Sequence, residues 1–139
     1  MPAPATPDSH VQQLMERAQQ AAQNSYSPYS GFKVGAALEL DNGVIVTGTN
    51  VENVSYSLTI CAERAALARA IAEHGPQIRI RAMAVANLNH TASTPCGACR
   101  QTLAEFSEPD APVAFPAEDG IVTMRFAELL PLAFNMKRK

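Results

Sequence analysis

The sequence has no excess of positive charge: 11 lysines and arginines stand against 13 aspartates and glutamates, for a formal net charge of −2. That composition lacks the cationic footprint of a nucleic-acid-binding protein. Long apolar runs are also missing, and none approaches the ~20 residues of a bilayer span. The first dozen residues include Pro2, Pro4, Pro7 and Asp8, with neither the basic start nor the apolar core of a secretory signal. Internal repeats and low-complexity tracts are absent. Cysteine is scarce and odd in number, at three, which rules out a disulfide framework as the organising device. These absences predict a soluble, cytoplasmic protein whose partner is a small molecule or another copy of itself, with no nucleic acid and no membrane.

What is present fits one fold. A chain of 139 residues, 47% hydrophobic, is long enough to bury a core and too short for two catalytic domains. Residues 1–139 are therefore read as a single domain with a flexible N-terminus at 1–8 and a flexible tail at 135–139. Apolar positions at Val11, Leu14, Met15 and Ala18 recur at helical spacing and predict an amphipathic helix over 9–24. Residues 32–40 and 44–47, joined by Asp41-Asn42-Gly43, have the pattern of a hairpin. A polar loop over 50–60 precedes a helix over 61–74 that stops at Gly75-Pro76, with Cys61 in its first turn. A strand over 78–86, a loop, a helix over 96–106, a short hairpin at 113–124 and a short helix at 127–130 complete the order. That alternation predicts an α/β fold: a mixed sheet of about five strands with helices on its faces.

The chemistry concentrates where two loops give way to helices, at Cys61-Ala62-Glu63 and at Pro95-Cys96-Gly97-Ala98-Cys99. Thiolate is the metal-binding form of cysteine, and the partial positive charge of a helix N-terminus favours it. Two such helix ends can hold Cys61, Cys96 and Cys99 around one Zn²⁺ and leave a fourth tetrahedral position open. Three thiolates on a divalent ion carry a net negative charge, which helix dipoles and a nearby cation would offset; Arg64 is the candidate for that cation. Glu63, two residues from Cys61, is close enough to exchange protons with a water in the open position without being a ligand. An activated water beside a proton shuttle suits hydrolysis.

A deaminase signature places His-x-Glu before Pro-Cys-x-x-Cys and admits three cysteines as ligands, the variant written in this chain. The chain resembles the small, homotetrameric zinc-dependent cytidine deaminases. The resemblance rests on the motifs Tyr26-Ser27-Pro28-Tyr29-Ser30-Gly31-Phe32-Lys33-Val34-Gly35-Ala36-Ala37, Asn50-Val51-Glu52-Asn53, Cys61-Ala62-Glu63-Arg64 and Pro95-Cys96-Gly97-Ala98-Cys99-Arg100-Gln101. These stand in the family's order and span most of the chain. The resemblance implies a three-layer α/β/α fold and one Zn²⁺ per subunit. It implies deamination of cytidine and 2′-deoxycytidine to uridine and 2′-deoxyuridine with release of ammonia, a step of pyrimidine salvage. It further implies that Phe32 packs on the pyrimidine, that Asn50 and Glu52 bond the ribose hydroxyls, and that backbone around Ala62 and Thr94-Pro95 holds the base edge. Phe134 would close a neighbouring subunit's site. Two features depart from the family pattern: Val54 stands where many relatives carry alanine, and the chain stops soon after Phe134.

Plainer readings exist for several of these residues. A lone Cys-x-x-Cys serves as well in a redox pair or a structural zinc site. Glu52 alone reads as a solvated loop carboxylate, Asn50 as a turn residue, Phe32 and Phe134 as core or interface hydrophobes, and Arg64 as a surface charge. His10, His74 and His90 lack ligand-like spacing and are not assigned to the metal. Three rival functions follow: a purely structural zinc protein, a polynucleotide deaminase, and a deaminase of a nucleoside antibiotic such as blasticidin S. The first lacks a fourth ligand and leaves Glu63 idle, and the second lacks a phosphate-binding surface. The third shares the zinc motifs, but Asn50-Val51-Glu52-Asn53 favours the cytidine enzymes.

Overall fold

A computed structural model describes residues 9–138; the expected flexible segment at 1–8 lies outside the described residues. Helix α1, Ser9–Ala22, is followed by strands β1, Val34–Leu40, and β2, Ile45–Thr49. Helix α2 is Ala62–His74, strand β3 Ile80–Asn87 and helix α3 Gly97–Ala104. Strands β4, Pro112–Ala117, and β5, Gly120–Arg125, lead into a short helix α4, Phe126–Leu129. The strands form one five-stranded sheet in the order β2-β1-β3-β4-β5. Every pair is antiparallel except β3 with β4, which run parallel with Met83 opposite Val113. The mixed sheet of about five strands expected from the sequence is the one observed.

Alternation along β1 gives the sheet its two faces. Ala36, Leu38 and Leu40 pack with Ala62, Ala66, Leu67 and Ala70 of α2, Leu103 of α3 and Phe126 and Leu129 of α4. On the opposite face Ala37 joins Ala82, Ala84, Ala86 and Ala114 beneath Leu14, Met15 and Ala18 of α1. The result is three layers, helix on sheet on helix. The alanines of β3, weak strand formers by propensity, are accounted for here, since small side chains let α1 approach the sheet closely. Gly35 takes this furthest: a Cβ there would collide with the carbonyl of Ala18.

A parallel connection needs a crossover, and α3 supplies it between β3 and β4. The crossover places the start of α3 beyond the C-terminal end of β3. Helix α2 lies on the same face, close against β2, and begins near the same end of the sheet. Two helix N-termini are thus gathered at one end of the sheet. The expected loop over 50–60 is tied down by isolated bridges from Val51 to Tyr26 and to Ile60, with a 3₁₀ turn at Tyr56–Leu58. Among the described residues no helix is long and apolar enough to cross a membrane.

Candidate active site

Cys61 and Cys96 occupy equivalent places, each the residue immediately before its helix with extended backbone, φ −71° and ψ 151° for Cys61 and φ −68° and ψ 165° for Cys96. Cys61 therefore occupies the N-cap position of α2 without a side-chain capping bond, a correction to the expectation that it lies in the first turn. The half-in position frees the side chain from the helix surface and turns it toward the neighbouring helix end. Cys96 accepts a hydrogen bond from the Cys99 backbone N–H at 3.4 Å, a sulfur serving as N-cap.

The three sulfurs converge. Cys61 Sγ lies 3.9 Å from Cys96 Sγ, which lies 3.3 Å from Cys99 Sγ, and all three ligand atoms fall within 4.8 Å of one another. None is in a disulfide. Four sulfurs about 2.3 Å from one tetrahedral zinc would be about 3.8 Å apart, so the Cys61–Cys96 separation already suits two ligands of one ion. The donor set fits Zn²⁺: three soft thiols at two helix starts, ranging from buried Cys99 to exposed Cys96. This is the one cluster of metal-ligand character among the described residues, and no histidine belongs to it.

Charge around the cluster is arranged to match. The Cys61 thiol is held down to about 5, chiefly by its neighbour Cys99 and then by Arg64 and Cys96. Cys99, beside Cys61 and buried, is pushed the opposite way and keeps its hydrogen more firmly. Arg64 Nη2 lies 3.7 Å from Cys61 Sγ and donates to the Thr59 carbonyl at 3.4 Å. The cation inferred from the sequence beside the thiolates is thus in contact with one of them.

Glu63, in the first turn of α2, is 5% exposed. Burial raises its pKa above the ordinary carboxylate value, and the neighbouring Cys61 charge adds to the rise. Its carboxyl group thus holds a proton more readily than a solvated one, the property a group that both takes and returns protons requires. Glu63 lines a cavity of about 200 Å³ together with Phe32, Val34, Asn50, Thr59, Cys61, Ala62, Val85, Ser93, Thr94 and Cys96. Of the residues singled out in the sequence, Phe32, Asn50, Cys61, Ala62, Glu63, Thr94 and Cys96 therefore share one pocket wall.

Others stand elsewhere. Glu52 is buried but is not part of that wall, and its carboxylate turns to the Tyr29–Ser30 turn. Bonds from that turn, first the Ser30 hydroxyl, hold the Glu52 carboxyl below the usual carboxylate range. Asn50 is also engaged: its Oδ1 accepts from Val34 N–H at 3.0 Å and from Ser25 Oγ at 2.5 Å, and its Nδ2 donates to the Phe32 carbonyl at 2.8 Å. Phe134 is 71% exposed and lines a different cavity, of about 590 Å³, with Arg79 and Met136. Val54 is exposed and is not part of the pocket wall.

Val34, Thr59, Val85 and Ser93 were missed as lining residues. Val34 was legible, because the expected strand over 32–40 puts Phe32 and Val34 on one face by alternation, although the observed strand starts at Val34. Val85 and Ser93 come from β3 and the loop after it, and only the sheet order brings them to α2.

The chain is similar to known proteins in sequence and fold. Residues 8–114 match the family model described as the cytidine and deoxycytidylate deaminase zinc-binding region. The chain is 44% identical over 125 residues to the cytidine deaminase of Halalkalibacterium halodurans, covering 89% of this chain and 93% of that one. The crystal structure of cytidine deaminase from Burkholderia pseudomallei superposes with a TM-score of 0.80 at 42% identity, covering 88% of this chain and 98% of that chain. That of the Mycobacterium tuberculosis enzyme does so with a TM-score of 0.78 at 40% identity, covering 90% and 97%.

Proposed function

The chain belongs to the cytidine deaminase family, and from that premise we propose that it hydrolyses cytidine and 2′-deoxycytidine to uridine and 2′-deoxyuridine with release of ammonia, as a step of pyrimidine salvage. The observation that carries this reading is the placement of a buried carboxylic acid, Glu63, in the wall of a nucleoside-sized pocket beside three convergent thiols.

Cys61, Cys96 and Cys99 would hold one Zn²⁺ per subunit. Bound there, zinc would supply Lewis acidity that makes water a nucleophile at neutral pH. Arg64 offsets the charge of the thiolates. Phe32 packs against the pyrimidine, Asn50 and Glu52 hold the sugar hydroxyls, and backbone at Ala62 and Thr94 meets the base edge. Glu63 takes a proton from the attacking water and passes it to N3 of the base, raising the electrophilicity of C4. After addition at C4, the same carboxylate carries the hydroxyl proton to the departing 4-amino group. Cytidine and one water become uridine and one ammonia, and Glu63 ends in the state in which it began.

The assembly is a homotetramer in which Phe134 of one subunit closes a neighbour's pocket. Its support is the apolar surface of the segment running into the site, where Val54 is 76%, Tyr56 70% and Leu58 65% exposed, together with the exposure of Phe134 itself. One domain, residues 1–139, carries the whole activity, and its place is the cytoplasm.

The test is to offer the zinc-loaded protein cytidine and, separately, blasticidin S, following product by chromatography and ammonia release. Uridine formation with the antibiotic left intact supports the assignment. Antibiotic turnover without cytidine turnover transfers it to the antibiotic enzymes.

A further inference from the structure

The backbone of Phe32 is fastened at both ends by side chains. Its carbonyl accepts from Asn50 Nδ2 at 2.8 Å, and its N–H donates to Ser30 Oγ at 2.9 Å. Ser30 is fastened in turn: its hydroxyl donates to Glu52 Oε2, while Glu52 Oε1 accepts from the N–H groups of Tyr29 at 3.0 Å and Ser30 at 3.2 Å. A serine hydroxyl has one hydrogen to give. Here it goes to the carboxylate, which leaves the oxygen free to accept from Phe32 and makes it a stronger acceptor.

Gly31, between the two, has φ 71°, a left-handed conformation that turns the chain from Ser30 toward β1. The peptide that follows this pivot is held on both sides: the Gly31 carbonyl accepts from Asn89 Nδ2 at 3.1 Å, and the Phe32 N–H donates to Ser30 Oγ. Among the described residues the Ser30 hydroxyl is the one acceptor of that N–H. Ser30 is itself exposed and contributes nothing to the core.

We propose that Ser30 is a positioning residue: its hydroxyl links the Glu52 carboxylate to the Phe32 backbone and so fixes where the aromatic ring stands at the pocket wall. The inference rests on the reading that Phe32 packs against the pyrimidine. It adds that the residue proposed to hold the sugar also sets the platform for the base, through one hydroxyl.

The experiment measures kcat and KM for cytidine in the zinc-loaded wild type, Ser30→Ala, Ser30→Thr, Phe32→Ala and the Ser30→Ala/Phe32→Ala double variant. Losing a charge-assisted hydrogen bond that orients a binding group should raise KM about tenfold while kcat changes less than about twofold. Ser30→Thr keeps the hydroxyl and should return KM to within about twofold of wild type. In the Phe32→Ala background, Ser30→Ala should add less than about twofold, because two groups acting through one contact are not additive.

An unchanged KM in Ser30→Ala, no recovery in Ser30→Thr, or the same factor with and without Phe32 overturns the proposal while cytidine turnover by the wild type keeps the functional reading. Absence of cytidine turnover in the wild type, or a Phe32→Ala variant with unaltered KM, overturns the proposal through the reading beneath it.

Discussion

Gly48 of β2 lies directly under the start of α2: a Cβ built on it would stand 2.7 Å from the carbonyl oxygen of Ala62 and in collision with the Ala66 backbone. The neighbours are backbone atoms of a packed helix and have no flexible end to move aside. The helix that begins with Ala62 and Glu63, just after Cys61, is held against the sheet by the lack of a side chain at this position.

Gly48→Ala should therefore push α2 outward. Overpacking of this kind costs about 1–3 kcal/mol, and the shift would separate Cys61 from Cys96. The expected outcome is a lower thermal midpoint together with weaker zinc retention in a chelator competition. A variant with wild-type stability and wild-type zinc retention would contradict the packing account.

Arg81→Ala tests a different part of the frame. Glu39 is 2% exposed on the α1 side of the sheet and is paired with Arg81 Nη2 at 2.8 Å and with His10. Arg81 is half exposed, so the pair is partly screened, but its removal leaves a buried carboxylate with less support. The cost should be about 2 kcal/mol, seen in denaturant unfolding, with kcat and KM for cytidine unchanged, because this cluster lies away from the pocket.

Acid should loosen the turn that leads into Phe32. The Glu52 carboxyl is held below its ordinary 4.5, first by the Ser30 hydroxyl and then by the Tyr29 and Ser30 N–H groups. A carboxyl with a depressed folded value contributes stability that is full above the unfolded value and lost as pH falls through the folded one. Between about pH 4.5 and lower pH, the thermal midpoint of the wild type should fall more steeply than that of Glu52→Gln. Parallel curves would remove Glu52 as a contributor.

The sequence was most informative where periodicity and punctuation agree. Val11, Leu14, Met15 and Ala18 mark α1, Gly75-Pro76 ends α2, and Asp41-Asn42-Gly43 turns β1 into β2, with Gly43 at φ 87°. The zinc cluster was legible because each cysteine-bearing motif sits at a helix start, where capping chemistry and metal chemistry require the same outward-turned side chain. The hydrogen bonds of Glu52 were not legible. They run to backbone N–H groups 22 and 23 residues away, and neither pattern nor propensity encodes that contact. The one-residue displacement of Cys61 from first turn to cap is of the same kind, since an N-cap is defined by its own dihedral angles.

The central claim is that Glu63 moves the protons of a hydrolysis carried out beside a three-cysteine zinc site. The most direct measurement compares wild type with Glu63→Gln for cytidine turnover and for zinc per chain by elemental analysis. The side chains are nearly isosteric, so the fold and the thiol cluster should persist and both proteins should hold about one zinc per chain, while kcat falls by at least about 10²-fold. A Glu63→Gln protein that keeps its zinc and deaminates cytidine at the wild-type rate would contradict the account.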